Sequence, residues 1–395
     1  MTIKEQAENL SEQIIKWRRD LHQIPESGLL CPQTAAYICN CLDQMDIPWK
    51  TYQKHSGITA LIGTGKAPVI ALRADIDGLD VKEENKLDYA STNGKMHACG
   101  HDAHAAALLG AAKILKDMES ELQGTVKLIF QPDEEGLNGA KAMLEDGVLE
   151  DPHVDRIYAL HVGSIVQHGR KSGQLFWKAG AVFASSDCIE IHIHGKGGHA
   201  STPFLAVNPI LIAAEIINSL QGLVSRESTY NVPAVLTVTG VTAGNGAYNI
   251  IPNSATIVGG LRTQSLEVRS HLLKRMEEIS KQCAAMYGAA AEMKVPSGCP
   301  PVINDPTVTA DFITAAKKVF PAEDILELDH SSMGGEDSSY FFTEVPGCYA
   351  FLYNSIPSDD GKEYPHHNGR FCIDDSVLYL ASAVFAQAVA DQIGK

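Results

Sequence analysis

Three short strand-like runs set the first limit on the fold: VIALRA at 69–74, apolar without a break up to Leu72, TVKLIF at 125–130 and RIYAL at 156–160. A strand that is apolar along its whole length, rather than at every second residue, has to be covered on both faces. A helix is expected before these runs at 33–45, and helices between them at 104–118 and 138–145. Strands alternating with helices predict an α/β layer, with helices on both sides of a largely parallel sheet. A further strand is expected at Ile58–Gly63, and an apolar helix at 376–393 closes the chain. At the other end, Thr2 and Glu5 form a capping-box pattern. Leu10, Ile14, Trp17 and Leu21 follow at helical spacing, which predicts one continuous opening helix.

Near residue 185 the pattern changes. DCIEIHIH at 187–194 alternates with period two, so one face of that strand is solvated. A helix at 206–223, strands at 234–241 and 255–262, a helix at 266–287 and a strand at 289–295 complete a strand–helix–strand–strand–helix–strand order. That order is the ferredoxin-like arrangement. It predicts a small domain, 185–295, inserted between two parts of a larger one, 1–184 and 296–395. A chain of 395 residues has room for two or three domains at about 150 residues each.

Charge and cysteine usage narrow the function. A formal net charge of −16 repels a phosphate backbone, so nucleic acid is set aside as a partner. Nine cysteines, an odd number without regular spacing, predict a reducing cytoplasm rather than a disulfide framework. No signal peptide and no bilayer-spanning apolar run are expected, hence no membrane association.

The chemistry gathers just after the strands. Asp75 and Asp77 follow the first apolar run, Glu134 and Glu135 the second, and His161 the third. In an open α/β sheet, ligands bind outside the carboxyl ends of the strands, so groups far apart in sequence converge there. A fourth cluster, MHACGHDAH at 96–104, packs three His, one Cys and one Asp into nine residues. Imidazole, thiolate and carboxylate together suit a transition metal such as Zn, Co, Ni or Mn. Gly100 lets a turn aim Cys99 and His101 the same way. Two adjacent carboxylates repel unless a cation or a proton holds them, and one ligating a metal while the other acts as a base resolves the conflict.

These segments resemble the M20 metallopeptidase superfamily, in its amidohydrolase branch of N-acyl-amino-acid, hippurate and auxin-conjugate hydrolases. The resemblance runs over essentially the whole chain, through RRDLHQIPE (18–26), RADIDGL (73–79), MHACGHDAHAAALLGAA (96–112), FQPDEEG (130–136), ALHVG (159–163), GKGGHAS (195–201), YNIIP (248–252) and MGGEDSSYF (333–341). It implies a zinc-exopeptidase-like α/β catalytic domain, with the ferredoxin-like insert serving as lid and dimerisation domain in a homodimer. It implies two divalent metal ions per subunit, held by Cys99, His101, Glu135, His161 and His367. His367 is chosen over His366 because the family places this ligand four residues before an aromatic, here Phe371. Asp77 orients a ligand, Glu134 is the catalytic base, and His199, Asn249 and Arg262 contact substrate.

The expected reaction is hydrolysis of the amide bond of a small N-acyl amino acid. A dipeptidase of the same superfamily, a metal-free hydrolase using Cys99 as nucleophile and a non-catalytic metal-binding protein are the rivals. The chain departs from the family at Cys31 and Pro32, Asp133, Gly163 and Ser164, and Phe204. All of these bear on pocket shape and none is a ligand.

Overall fold

The computed structural model describes residues 1–166, 168–228 and 231–395, which form two compact units. The first unit comprises Met1–Val182, Val302–Ser332 and Asp337–Lys395; the second comprises Phe183–Pro301 and Met333–Glu336.

The first unit begins with α1 (Ile3–Asn9) and α2 (Ser11–His22). Thr2 and Glu5 form the capping box reciprocally, each side chain bonding the other residue's backbone N–H. The single opening helix expected from the spacing is broken at Leu10, whose N–H is shared between the Gln6 and Ala7 carbonyls. The break lets the two halves pack on different partners, α1 on the C-terminal helix and α2 on the helix that starts at His101. Next come α3 (Pro32–Gln44), β1 (Trp49–Thr51), β2 (Ile58–Gly63), β3 (Val69–Asp75), α4 (His101–Asp117), β4 (Thr125–Gln131), α5 (Gly139–Glu145), β5 (Arg156–Val162) and β6 (Gln174–Trp177). Helix α4 starts three residues earlier than its periodicity predicts, so His101 is its first residue. Its small side chains, Ala103, Ala105 to Ala107, Ala111 and Ala112, are all buried.

The second unit contains β7 (Ser186–His194), β8 (Gly198–His199), α6 (Pro209–Gln221), β9 (Ala234–Ala243), β10 (Ile250–Ile251), β11 (Ser254–Thr263), α7 (Leu266–Met286) and β12 (Ala290–Lys294). Its antiparallel sheet has the order β9-β11-β7-β12, the ferredoxin-like topology. Ile189, Ile191 and Ile193 of β7 point into this unit's own core with Ile212 and Ile216 of α6. The alternation read in the sequence is therefore the alternation between core and outer face.

Returning to the first unit, the chain adds α8 (Pro306–Ala316), β13 (Ile325–Glu327), β14 (Gly347–Tyr353) and α9 (Leu378–Ile393). The eight-stranded sheet runs β1-β2-β4-β3-β5-β14-β6-β13, with β4, β3, β5 and β14 parallel. Strands β3, β4 and β14 are buried along their whole length, which accounts for their largely apolar character. Residues Asp375–Ile393 are long and apolar enough, by length and composition, to cross a membrane. Here α9 is instead a core helix packed on α1, α4 and α8. Four parallel strands end at one edge of the sheet, and the functional groups cluster there.

Candidate metal centre

The local structure at that edge explains why the groups face one another. Gly100 precedes α4 with φ +91°, a left-handed conformation that glycine adopts without strain, and a Cβ there would lie 2.7 Å from Val162 Cγ2. The tight approach places Cys99 and His101 beside the end of β5. After β4, the turn carrying Glu134 and Glu135 is held by a buried polar chain. Arg73 Nε donates to Gln131 Oε1 (2.9 Å), and Gln131 Nε2 donates to Asp337 Oδ1 (2.6 Å). Asp337 Oδ2 then accepts from Ala140 N at the start of α5 (2.9 Å), where a carboxylate is favourable. Gly139 closes this turn so tightly that a Cβ would sit 1.6 Å from the Pro132 carbonyl oxygen.

Cys99, His101 and His161, all buried, bring one donor atom each within 4.8 Å of one another. Cys99, Glu135 and His367 do the same, and so do His101, Glu134 and Glu135. The metal residues expected from the sequence therefore lie together at the edge of the first unit, with Glu134 beside them.

Hydrogen bonding sorts the five histidines at this edge into two kinds. His101 Nδ1 lies 3.0 Å from the Asp77 carbonyl oxygen and 3.2 Å from Asp77 Oδ1, so it carries the proton and donates. Its buried Nε2 has no hydrogen-bond partner among the described residues. His161 Nδ1 donates to the Val162 carbonyl (2.6 Å), leaving Nε2 3.5 Å from Cys99 Sγ. His367 sets Nε2 3.2 Å from Glu135 Oε1. These three rings offer a nitrogen towards the cluster. The other two have both nitrogens committed. His104 Nδ1 donates to Asp75 Oδ1, and its Nε2 accepts from Val162 N (2.9 Å). His366 Nε2 accepts from Ser164 N (3.0 Å), so its proton sits on Nδ1, 3.6 Å from Cys99 Sγ. Sequence spacing separates His366 from His367 only by analogy; the hydrogen bonds separate them by chemistry.

The electrostatics call for a cation. Burial first, then the charges of Glu135, Glu134 and Asp75, pushes the Cys99 thiol well above its usual pKa. Burial lowers the pKa of His101, but Asp75, Asp77 and Glu135 outweigh it and raise the value to about 10. Burial also opposes ionisation of Asp75, yet His101, His104 and Arg73 hold its carboxyl well below the ordinary range. Bound divalent ions invert such a field, favouring thiolate and neutral imidazole. An orphaned imidazole nitrogen, a buried thiol and clustered carboxylates are a donor set that fits the two-ion centre. The same field disfavours Cys99 as a metal-free nucleophile, which needs a thiolate.

Three expected substrate residues lie in the second unit. His199 and Asn249 are neighbours, because β8 pairs with β10 through His199 and Ile250, and Ala200 N bonds the Asn249 carbonyl. His199 Nδ1 accepts from Ser201 N (3.1 Å), which leaves Nε2–H as the donor of an exposed ring. Arg262 is not brought to them. It stands eight residues along β11 from Ser254, roughly 26 Å at the strand rise, where its Nη1 donates to the Met333 carbonyl (2.9 Å). Sequence reasoning missed the Arg73–Gln131–Asp337 chain and the bracing roles of His104 and His366. HACGHDAH and PHH showed only that histidines were present.

Substitution of Cys99 by Asp is expected to keep partial, metal-dependent activity, since a carboxylate replaces a thiolate ligand. Assay with and without a chelator, alongside a search for an acyl group trapped on wild-type Cys99, checks this. A trapped acyl-enzyme overturns the ligand reading.

Known proteins resemble the chain over most of its length. Residues 71–391 match the model of peptidase family M20/M25/M40. The chain is 37% identical over 390 residues to an N-acetyl-L-cysteine deacetylase of Bacillus subtilis, covering 97% of this chain and 90% of the relative. It is 40% identical over 375 residues to the IAA-amino acid hydrolase ILR1-like 4 of Arabidopsis thaliana, covering 93% and 83%. Among solved structures, it is similar to a dinuclear metal-binding peptidase of the M20 family from Bacillus subtilis. That likeness has a TM-score of 0.80 and 34% identity, over 96% of this chain and 98% of the other.

Proposed function

Since the chain belongs to peptidase family M20/M25/M40, we propose that it is a metal-dependent amidohydrolase that cleaves the amide bond of small N-acyl amino acids, with Glu134 as general base. The observation that carries the reading is the arrangement of ligand-ready nitrogens and carboxylates around Cys99, with Glu134 among them. The names of two relatives, an N-acetyl-L-cysteine deacetylase and an IAA-amino acid hydrolase, both describe cleavage of an amide made to an amino acid.

Cys99, His101, Glu135, His161 and His367 would hold two divalent ions, which when bound lower the pKa of a water and polarise the amide carbonyl. Asp77 fixes the His101 tautomer so that Nε2 faces the centre. Glu134 accepts the proton of the attacking water and returns it to the leaving nitrogen. His199 Nε2–H donates to the developing oxyanion. Asn249 and Arg262 hold the carboxylate of the amino-acid part, Arg262 through a charge-assisted fork. Arg262 stands at the far end of β11 from Ser254, whereas His199 and Asn249 lie together where β8 pairs with β10. We therefore read the working form as a homodimer, in which His199 and Asn249 serve the partner's site. The unpaired cysteines support a cytoplasmic setting.

A peptidase reading is the second one, favoured by the M20 peptidase among the similar structures. A panel of N-acetyl, N-benzoyl and longer-acyl amino acids with matching dipeptides, supplied with Mn, Zn, Co and Ni in turn, separates the two. Turnover of the acylated compounds at least tenfold above dipeptides is expected. Cleavage confined to substrates with a free amino terminus would sink the amidohydrolase reading.

A further inference from the structure

A buried ion-pair network outside the centre reaches two of its ligand-bearing segments at once. Residues 80–95 form a loop without regular structure, closed at its base by paired backbone bonds between Leu79 and Met96. Glu83 turns inward from this loop. Its Oε1 lies 3.2 Å from His22 Nε2 and its Oε2 accepts from Ser91 N (2.6 Å). His22 Nδ1 lies 2.7 Å from Asp102 Oδ2, and Arg18 Nε stands 2.8 Å from the same oxygen. The Glu83, His22, Asp102 and Arg18 side chains are all at most 4% exposed. Asp102 sits in the first turn of α4, next to His101. The next two loop residues face the other way. Glu84 N donates to the Gly369 carbonyl (2.8 Å), and Asn85 Nδ2 donates to the Phe371 carbonyl (3.0 Å). These acceptors lie just after His367, whose own ring is half exposed.

We propose that the 80–95 loop is a strut and that Glu83 and His22 are positioning residues, coupling the start of α4 to the turn that carries His367. The proposal rests on the reading of Cys99, Glu135 and His367 as metal ligands. His101 and His161 are buried and oriented by their own Nδ1 bonds, so they do not depend on the strut. His367 has φ +66° and a half-exposed ring, and besides its N–H bond to the Ala98 carbonyl (2.9 Å) it relies on how the turn is held. Loss of the strut therefore weakens the ion held by Cys99, Glu135 and His367 and spares the one held by Cys99, His101 and His161.

The test is titration of the metal-stripped full-length protein with Zn2+ by calorimetry. Wild type is expected to bind two equivalents. Glu83→Gln and Asn85→Ala, which cut the strut at opposite ends, are each expected to keep one equivalent at wild-type affinity. The other weakens by about tenfold or more, the scale on which groups supporting a ligand act. The His22→Gln/Glu83→Gln pair should weaken it no further than Glu83→Gln alone, as shared contact requires. Two equivalents at wild-type affinity in both single variants, even with a lower melting temperature, overturn the proposal. So does equal weakening of both ions, which marks a general loss of packing. Should Glu83→Gln fail to fold, Asn85→Ala decides alone, since its side chain is only partly buried. Wild type that takes up fewer than two equivalents overturns the metal reading itself.

Discussion

Glu134→Gln is expected to lower turnover about a thousandfold, within the range associated with a positioned general base, while both metal ions stay bound. The substitution is isosteric and removes only the capacity to accept a proton. Glu134 is buried, with Oε2 3.9 Å from His101 Nε2, so its carboxylate lies close to the centre. Metal content by mass spectrometry, measured on the same preparation as the kinetics, decides the assignment. Loss of an ion along with activity would place Glu134 among the ligands.

The second large effect is expected at His199. Its Nδ1 is fixed as an acceptor by Ser201, which makes Nε2–H a ready donor without protonation of the ring. His199→Ala is expected to lower turnover about a hundredfold, the loss typical of one oxyanion donor, with no change in metal content. Mixing His199→Ala with Glu134→Gln under subunit exchange tests where the ring acts. If sites are shared between subunits, hybrid dimers regain one working site. If both residues act within one chain, mixing restores nothing and the dimeric reading fails.

What could be read from the sequence follows a physical divide. Burial leaves a local signature, so β2 was placed to the residue, and β3, β4 and β5 to within two residues. The opening helix was misread at Leu10, because helical spacing reports an apolar face and not a change of packing partner. Cys99, His101 and Glu135 were conspicuous as unusual donors beside strand ends. The groups that brace them were not. Gln131 meets Asp337 across 206 positions and His22 meets Glu83 across 61, and a polar contact of that kind has no period to detect. Arg262 illustrates the opposite case. Its resemblance to a substrate-contacting position is plain in the sequence, but only the structure shows its place eight residues along β11 from Ser254.

The order of strands in the first unit also bears on how the chain reaches this state. Strand β14 lies between β5 and β6, yet Tyr349 pairs with Ala159 across about 190 residues, and the whole second unit is translated in between. As the chain emerges from the ribosome, β5 and β6 appear early with an unfilled gap between them. Such a gap presents unpaired backbone edges of the kind that recruit other strands. The second unit has its own core and its sheet draws on strands from that unit alone, so it is able to form while that gap is still open. Long-range parallel pairing is the slow step in folding. The last hundred residues thus supply His367 and also the strand that ends this exposed stage.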